Sequence, residues 1–129
     1  MKPYKLHRFA SGSGFAIKQF EQLQNDIVNG NANINNIDCQ SLINAIVDYV
    51  NDIQALQNTP DRKWITKQIH DAPNLSRVRV YDYMPGTGQA TKQFYKFAKA
   101  MSSGAINCKK LSVESLLLMI GTYFFDQIE

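Results

Sequence analysis

Hydrophobic positions recur at helical spacing through most of the chain. Ala16, Phe20, Leu23 and Ile27 follow one another at intervals of four, three and four residues. That pattern places one apolar stripe on a helix from Phe15 to Val28, with Lys18, Glu21, Gln22 and Asn25 on its outer side. Asn29-Gly30 ends it, because both residue types tolerate the left-handed conformation found at helix ends. The Asn-rich segment to Ile37 reads as a loop. Asp38 then caps a second helix reaching about Gln57, whose inner face carries Leu42, Ile43, Ile46, Tyr49, Val50, Ile53 and Leu56.

Thr59-Pro60-Asp61 opens a further helix, with a Thr cap, a Pro where its missing N–H costs nothing, and an acid against the dipole. Trp64, Ile65, Ile69 and Ala72 give it a core side, and Arg62, Lys63 and Lys67 face outward. Ala90, Phe94, Phe97, Ala98 and Met101 form the stripe of a helix over Gly88–Met101. Ser112 caps the last helix, Val113 to about Ile128, which is apolar nearly all round. Such a helix sits in the middle of a bundle, or meets another subunit along one side and so allows a homodimer. Gly121 is expected to let a neighbour approach closely.

Between these helices the period shifts towards two. Val78 and Val80 fall on one side of an extended segment, with Arg77, Arg79, Tyr81 and Tyr83 on the other. The N-terminal arm, residues 2–9, is the segment able to pair with it. A short helix capped by Asn74 is the alternative, although β-branched and aromatic content favours the strand. The expected fold is therefore mainly α: one compact bundle of about five helices forming a single domain over residues 1–129. A minor extended element near 76–84 pairs with the arm.

Glycine-bearing corners flank two of the helices. Ser11-Gly12-Ser13-Gly14 and Pro85-Gly86-Thr87-Gly88 resemble phosphate loops at first sight. Neither matches GxxxxGK[ST] or GxGxxG, so the first reads as a flexible corner and the second as a turn with Thr87 as cap. Free N–H groups at the second corner would still suit an anion.

Composition narrows the class. The 129 residues are enough to bury a core without staples, and 44% hydrophobic content is ordinary for a globular protein. The apolar run Leu116–Phe125 is far short of the roughly 20 residues that span a bilayer. The opening MKPYKLHRF has no apolar run behind it, so the expectation is a soluble cytoplasmic protein without a membrane partner. Cys39 and Cys108 lack zinc-site spacing and are expected as reduced, partly buried thiols, with a disulfide or redox pair as the alternative and with no metal and no cofactor. Eleven Asn and ten Gln suggest an AT-rich genome of the bacterial or phage kind.

Charge is segregated. Residues 1–10 carry +3, 11–57 carry −4, 58–110 carry +7 and 111–129 carry −3. Such a field steers an acidic partner. The basic region holds the candidate site: Arg77, Arg79, Tyr81 and Tyr83 on the extended segment, then Lys92, Tyr95, Lys96 and Lys99 on the following helix. Guanidinium groups bind carboxylates or phosphates in bidentate fashion, and Tyr rings offer stacking surfaces. The same residues also fit a packed arrangement, with the tyrosines beneath a helix, the arginines covering them and the lysines merely solvated.

Catalytic constellations are sparse. Asp48 and Asp52 lie one turn apart and read as solvated acids rather than a metal pair. His70 sits in a last helical turn, where it interacts with terminal carbonyls. No HxxxH, HExxH or GxSxG occurs. A His7/His70 acid–base pair in a nuclease is the remaining enzymatic reading. The favoured function is a non-catalytic protein-binding factor, of the inhibitor, immunity or mobile-element type, that docks an acidic protein surface through its basic, Tyr-containing face. The alternative is a small nucleic-acid-binding protein using the same face.

Overall fold

The computed structural model describes residues 2–56 and 79–128. Four helices run through them: α1 (Phe15–Val28), α2 (Cys39–Leu56), α3 (Gln89–Ser102) and α4 (Val113–Ile128). The mainly helical expectation holds. The helix expected from Pro60, with His70 at its end, lies outside the described residues, as do Arg77 and the start of the extended element.

Local residues cap two of the four helices. Asp38 Oδ2 accepts the Ser41 N–H at 3.0 Å, and Ser112 Oγ accepts that of Ser115 at 3.1 Å, so α2 and α4 are capped from their own chains. Gly30 and Gly104 follow α1 and α3 at φ 81° and 82°. α1 and α3 start differently. Their N-caps, Gly14 and Gly88, are left-handed and have no side chain to offer.

The capping group comes from another helix. Asp52 Oδ1 accepts the N–H of Gly12 at 2.7 Å and of Gly14 at 3.1 Å, and its Oδ2 accepts that of Ile17 at 3.3 Å. Asp126 repeats this clasp on Gly86 (2.8 Å), Gly88 (3.1 Å) and Thr91 (3.1 Å). The Ser11–Gly14 corner is thus clasped to α2 rather than flexible. Asp52 is fully buried and Asp48 nearly so, which corrects the expectation of solvated acids. Asp48 instead takes Arg8 in a bidentate pair, Nε at 2.8 Å and Nη2 at 3.0 Å.

The clasps mark an internal repeat that the periodicity alone had not disclosed. Every member of the second clasp lies 74 residues after its counterpart, the same offset that separates Tyr49 from Tyr123. At that offset Ala16 matches Ala90, Lys18 matches Lys92, Gln19 matches Gln93, Phe20 matches Phe94, Leu42 matches Leu116 and Ile46 matches Ile120. α1–α2 and α3–α4 are two copies of one helix-pair unit.

The copies meet about a quasi-two-fold axis lined by aromatic rings. Within the first, Phe20 stacks on Tyr49 at 4.1 Å; within the second, Phe94 stacks on Tyr123 at 4.0 Å. Phe20 then meets Phe94 at 5.5 Å, and the crossed pairs Phe20–Tyr123 (6.4 Å) and Tyr49–Phe94 (6.0 Å) reciprocate. Reciprocal contacts of this sort are the mark of an isologous junction. On the axis the Tyr49 and Tyr123 hydroxyls bond each other at 2.8 Å, and Tyr95 adds a third hydroxyl at 3.2 Å from Tyr123.

Three further expectations are corrected. Cys39 and Cys108 form a disulfide with Cα atoms 6.0 Å apart, joining the start of α2 to the loop before α4. No described residue lies within 4 Å of a Cβ built on Gly121, so the expected close neighbour is not found among them. Of the two placements expected for α4, the one wholly inside the bundle does not hold, since Leu118, Phe125 and Ile128 are exposed. Among the described residues no helix is long and apolar enough to cross a membrane.

Candidate docking face

The described part of the expected strand, 79–84, is irregular, and no strand occurs among the described residues. Its backbone does not pair with the N-terminal arm. Gln93, on α3, brackets it instead: its Oε1 accepts the Tyr81 N–H at 2.8 Å while its Nε2 donates to the Tyr81 carbonyl at 3.0 Å. A single primary amide satisfies both main-chain groups of one residue, as a strand neighbour would, so no partner strand is needed.

The arm is held in the same way, by Gln19 of α1. Its Oε1 accepts the His7 N–H at 2.8 Å and its Nε2 donates to the His7 carbonyl at 2.9 Å. Tyr4 anchors the start of the arm, donating its N–H to the Asn36 carbonyl at 2.7 Å and its hydroxyl to Asp26. Burial and the Asp26 carboxylate together push the Tyr4 phenol above its ordinary range.

The bracket at Tyr81 sets a basic, aromatic cluster beside α3. The Arg79 guanidinium lies over the Tyr81 ring, 5.2 Å from its centroid, and Tyr81 meets Tyr83 at 5.9 Å. Tyr81 is half exposed and Tyr83 partly buried, so the first ring presents its face while the second supports it. Lys92, one residue before the bracketing Gln93, is exposed, and Lys96 is partly so. Met84, three quarters exposed, adds an apolar element at the end of the segment.

Two other expected members have a different position. The Tyr95 hydroxyl turns to Tyr123 and its ring packs edge-on against Phe94, so Tyr95 belongs largely to the aromatic junction. Lys99 donates to Gln54 Oε1 on α2 at 2.7 Å, tying the two copies together. Arg79, Tyr81, Tyr83, Lys92 and Lys96 remain as the surface group.

The second glycine corner is not an open anion site. The N–H groups of Gly86, Gly88 and Thr91 are occupied by the chain's own carboxylate, and the Thr91 hydroxyl also donates to Asp126 Oδ2 at 2.6 Å. The Thr91 hydroxyl bond, followed by those three amides, holds the Asp126 carboxyl below its ordinary value against the opposing effect of burial. A phosphate at this helix N-terminus would have to displace a buried carboxylate. Among the described residues no three His, Cys, Asp or Glu side chains gather as a metal site would require.

Sequence reasoning missed the Gln19 and Gln93 brackets and both Asp clasps. The available signal was the shared offset, under which Gly-x-Gly, Ala, Lys-Gln-Phe, Tyr and Asp all recur in register. Comparison with protein-family models, with curated proteins and with solved structures returns no match.

Proposed function

We propose that this chain is a non-catalytic docking protein, of the inhibitor or immunity type, that engages an acidic protein surface through Arg79, Tyr81, Tyr83, Lys92 and Lys96. The observation that supports it most is the Gln93 bracket, which holds an exposed Arg-over-Tyr pair beside the lysines of α3. Arg and Tyr are the residue types that dominate binding hot spots, and a segment fixed before binding loses less entropy on docking. The tethering of Asp48, Asp52 and Asp126 to Arg8 and to backbone amides gives these carboxylates a structural occupation rather than a chemical one.

A protein partner is favoured over nucleic acid by the apolar share of the face, Tyr81 and Met84. The Cys39–Cys108 bridge favours an oxidising compartment over the cytoplasm, where such bonds are rare.

Immobilised protein incubated with an extract of its source cells is expected to retain one stoichiometric protein. Arg79→Ala/Tyr81→Ala should lose that protein, and Glu114→Ala should keep it. Retention by all three forms, or recovery of nucleic acid alone, would contradict the reading.

A further inference from the structure

The internal repeat duplicates more than the core. Applying the 74-residue offset to the docking face places Lys5 opposite Arg79, His7 opposite Tyr81, Phe9 opposite Tyr83 and Lys18 opposite Lys92. In each copy the order is cation, aromatic ring, aromatic ring, then a lysine on the following helix. Exposure also matches pair by pair: Lys5 and Arg79, His7 and Tyr81, and Lys18 and Lys92 are exposed, while Phe9 and Tyr83 are partly buried.

We propose that the first copy carries a second docking face, built from Lys5, His7, Phe9 and Lys18, so that one chain binds two copies of one acidic protein segment, one on each side of its quasi-two-fold axis. This rests on the reading that the Arg79–Tyr83 face docks an acidic partner.

Three observations carry it. The glutamine brackets fix both segments to their helices with the same two hydrogen bonds, so the backbones that display the side chains are equivalent. Each segment also sets its two rings against each other, His7 and Phe9 edge-on at 6.4 Å and Tyr81 and Tyr83 tilted at 5.9 Å. Charge is retained at both cationic positions, although the surrounding first copy is acidic. A fold-equivalent position has no structural need of a cation when its side chain is exposed, so Lys5 and Lys18 are free to serve recognition.

The two faces are not identical. Glu21 stands where the second copy has Tyr95, and Gln22 where it has Lys96. An acidic ligand therefore binds the first face several-fold more weakly. A two-fold symmetric partner would present its segment twice and gain from both sites at once.

The test is a titration of the full chain with a capped octaglutamate peptide in low salt, followed by backbone amide shifts. The expected result is two groups of saturating shifts, around Arg79–Tyr83 and Lys92 first, then around Lys5–Phe9 and Lys18, with two peptides bound per chain. Lys5→Glu/Lys18→Glu should abolish the second group and leave the first. Both side chains are exposed, and unchanged shifts in the aromatic junction would show that the variant keeps its fold. Saturation at one peptide, with only the Arg79 group moving, would overturn the second face while leaving the docking reading standing. No saturating shift at either group would overturn both. An oligothymidylate that saturates the same amides at lower concentration would assign the faces to nucleic acid and overturn the proposal.

Discussion

Asp126 makes four hydrogen bonds with one carboxylate, to Gly86, Gly88 and both donors of Thr91. Its folded pKa lies below the ordinary value of 3.8. The stability it contributes is therefore fully present above the unfolded value and is lost as pH falls through the folded one. Asp126→Asn is expected to cost about 1–3 kcal/mol near neutral pH, by replacing a charged acceptor with an amide that cannot accept at both ends. Denaturant melts between neutral and acid pH should show the variant losing less stability on acidification than the parent. Equal slopes would mean that another carboxylate governs the acid limb.

The tyrosines on the axis make the opposite case. Burial pushes the Tyr49 and Tyr123 phenols above the ordinary range, so both should stay protonated in the folded chain when exposed tyrosines ionise near pH 10. Their raised values mean that stability is complete below the unfolded pKa and falls as pH rises towards the folded one. Ultraviolet titration should show Tyr49 and Tyr123 in a late group released only on unfolding. Tyr49→Phe should cost about 1 kcal/mol by removing one bond, and Tyr123→Phe should cost more, since the Tyr123 hydroxyl also bonds that of Tyr95.

At the scale of elements, the helices were legible and their fastenings were not. Periodicity placed α1 at Phe15–Val28 and ended α2 within a residue of Leu56, because apolar spacing and the Asp38 and Ser112 caps are local features. The sequence offers Thr87 as the cap of α3. Thr87 Oγ1 does accept the Gln89 N–H at 3.3 Å, yet the carboxylate that closes the helix end comes from Asp126, 38 residues beyond Gly88. No local pattern signals an acceptor at that distance. The segment before α3 misled for a related reason. Alternating Val, Arg and Tyr suits a strand, but a glutamine side chain supplies the two hydrogen bonds that a strand partner would have made.

The left-handed glycines follow from this arrangement. Gly14 and Gly88 sit at φ 81° and 79°, which turns their N–H groups onto the clasping carboxylates. A Cβ on Gly88 would meet no described residue within 4 Å, so Gly88→Ala should be destabilising through backbone strain, by about 1–2 kcal/mol. Thermal melts would check this against Gly121→Ala, which lies within a helix with no described residue near the added Cβ and should raise stability by up to about 1 kcal/mol.

For the whole molecule, two copies of a helix pair share one aromatic junction and one covalent link. Cys39 and Cys108 are 69 residues apart, and closing a loop of that size contributes about 4 kcal/mol in the chain-entropy model. Cys39→Ser/Cys108→Ser should lower the unfolding free energy by about 2–4 kcal/mol and leave the helical signal of the folded state unchanged. The duplication was hidden from periodicity because the halves keep the clasp and ring positions while their surfaces have diverged. Asn44, Asn51 and Gln54 of α2 correspond to Leu118, Phe125 and Ile128 of α4. Even the disulfide has no counterpart, since its two equivalents are Ile34 and Val113.

The central claim is that both copies, each with its bracketed outer segment, meet about one quasi-two-fold axis. Aromatic proton cross-relaxation in selectively labelled protein tests it most directly. The structure predicts cross-peaks between the rings of Phe20 and Phe94 and, reciprocally, for the pairs Phe20–Tyr123 and Tyr49–Phe94. Cross-peaks confined to Phe20–Tyr49 and Phe94–Tyr123, with none between the copies, would contradict it.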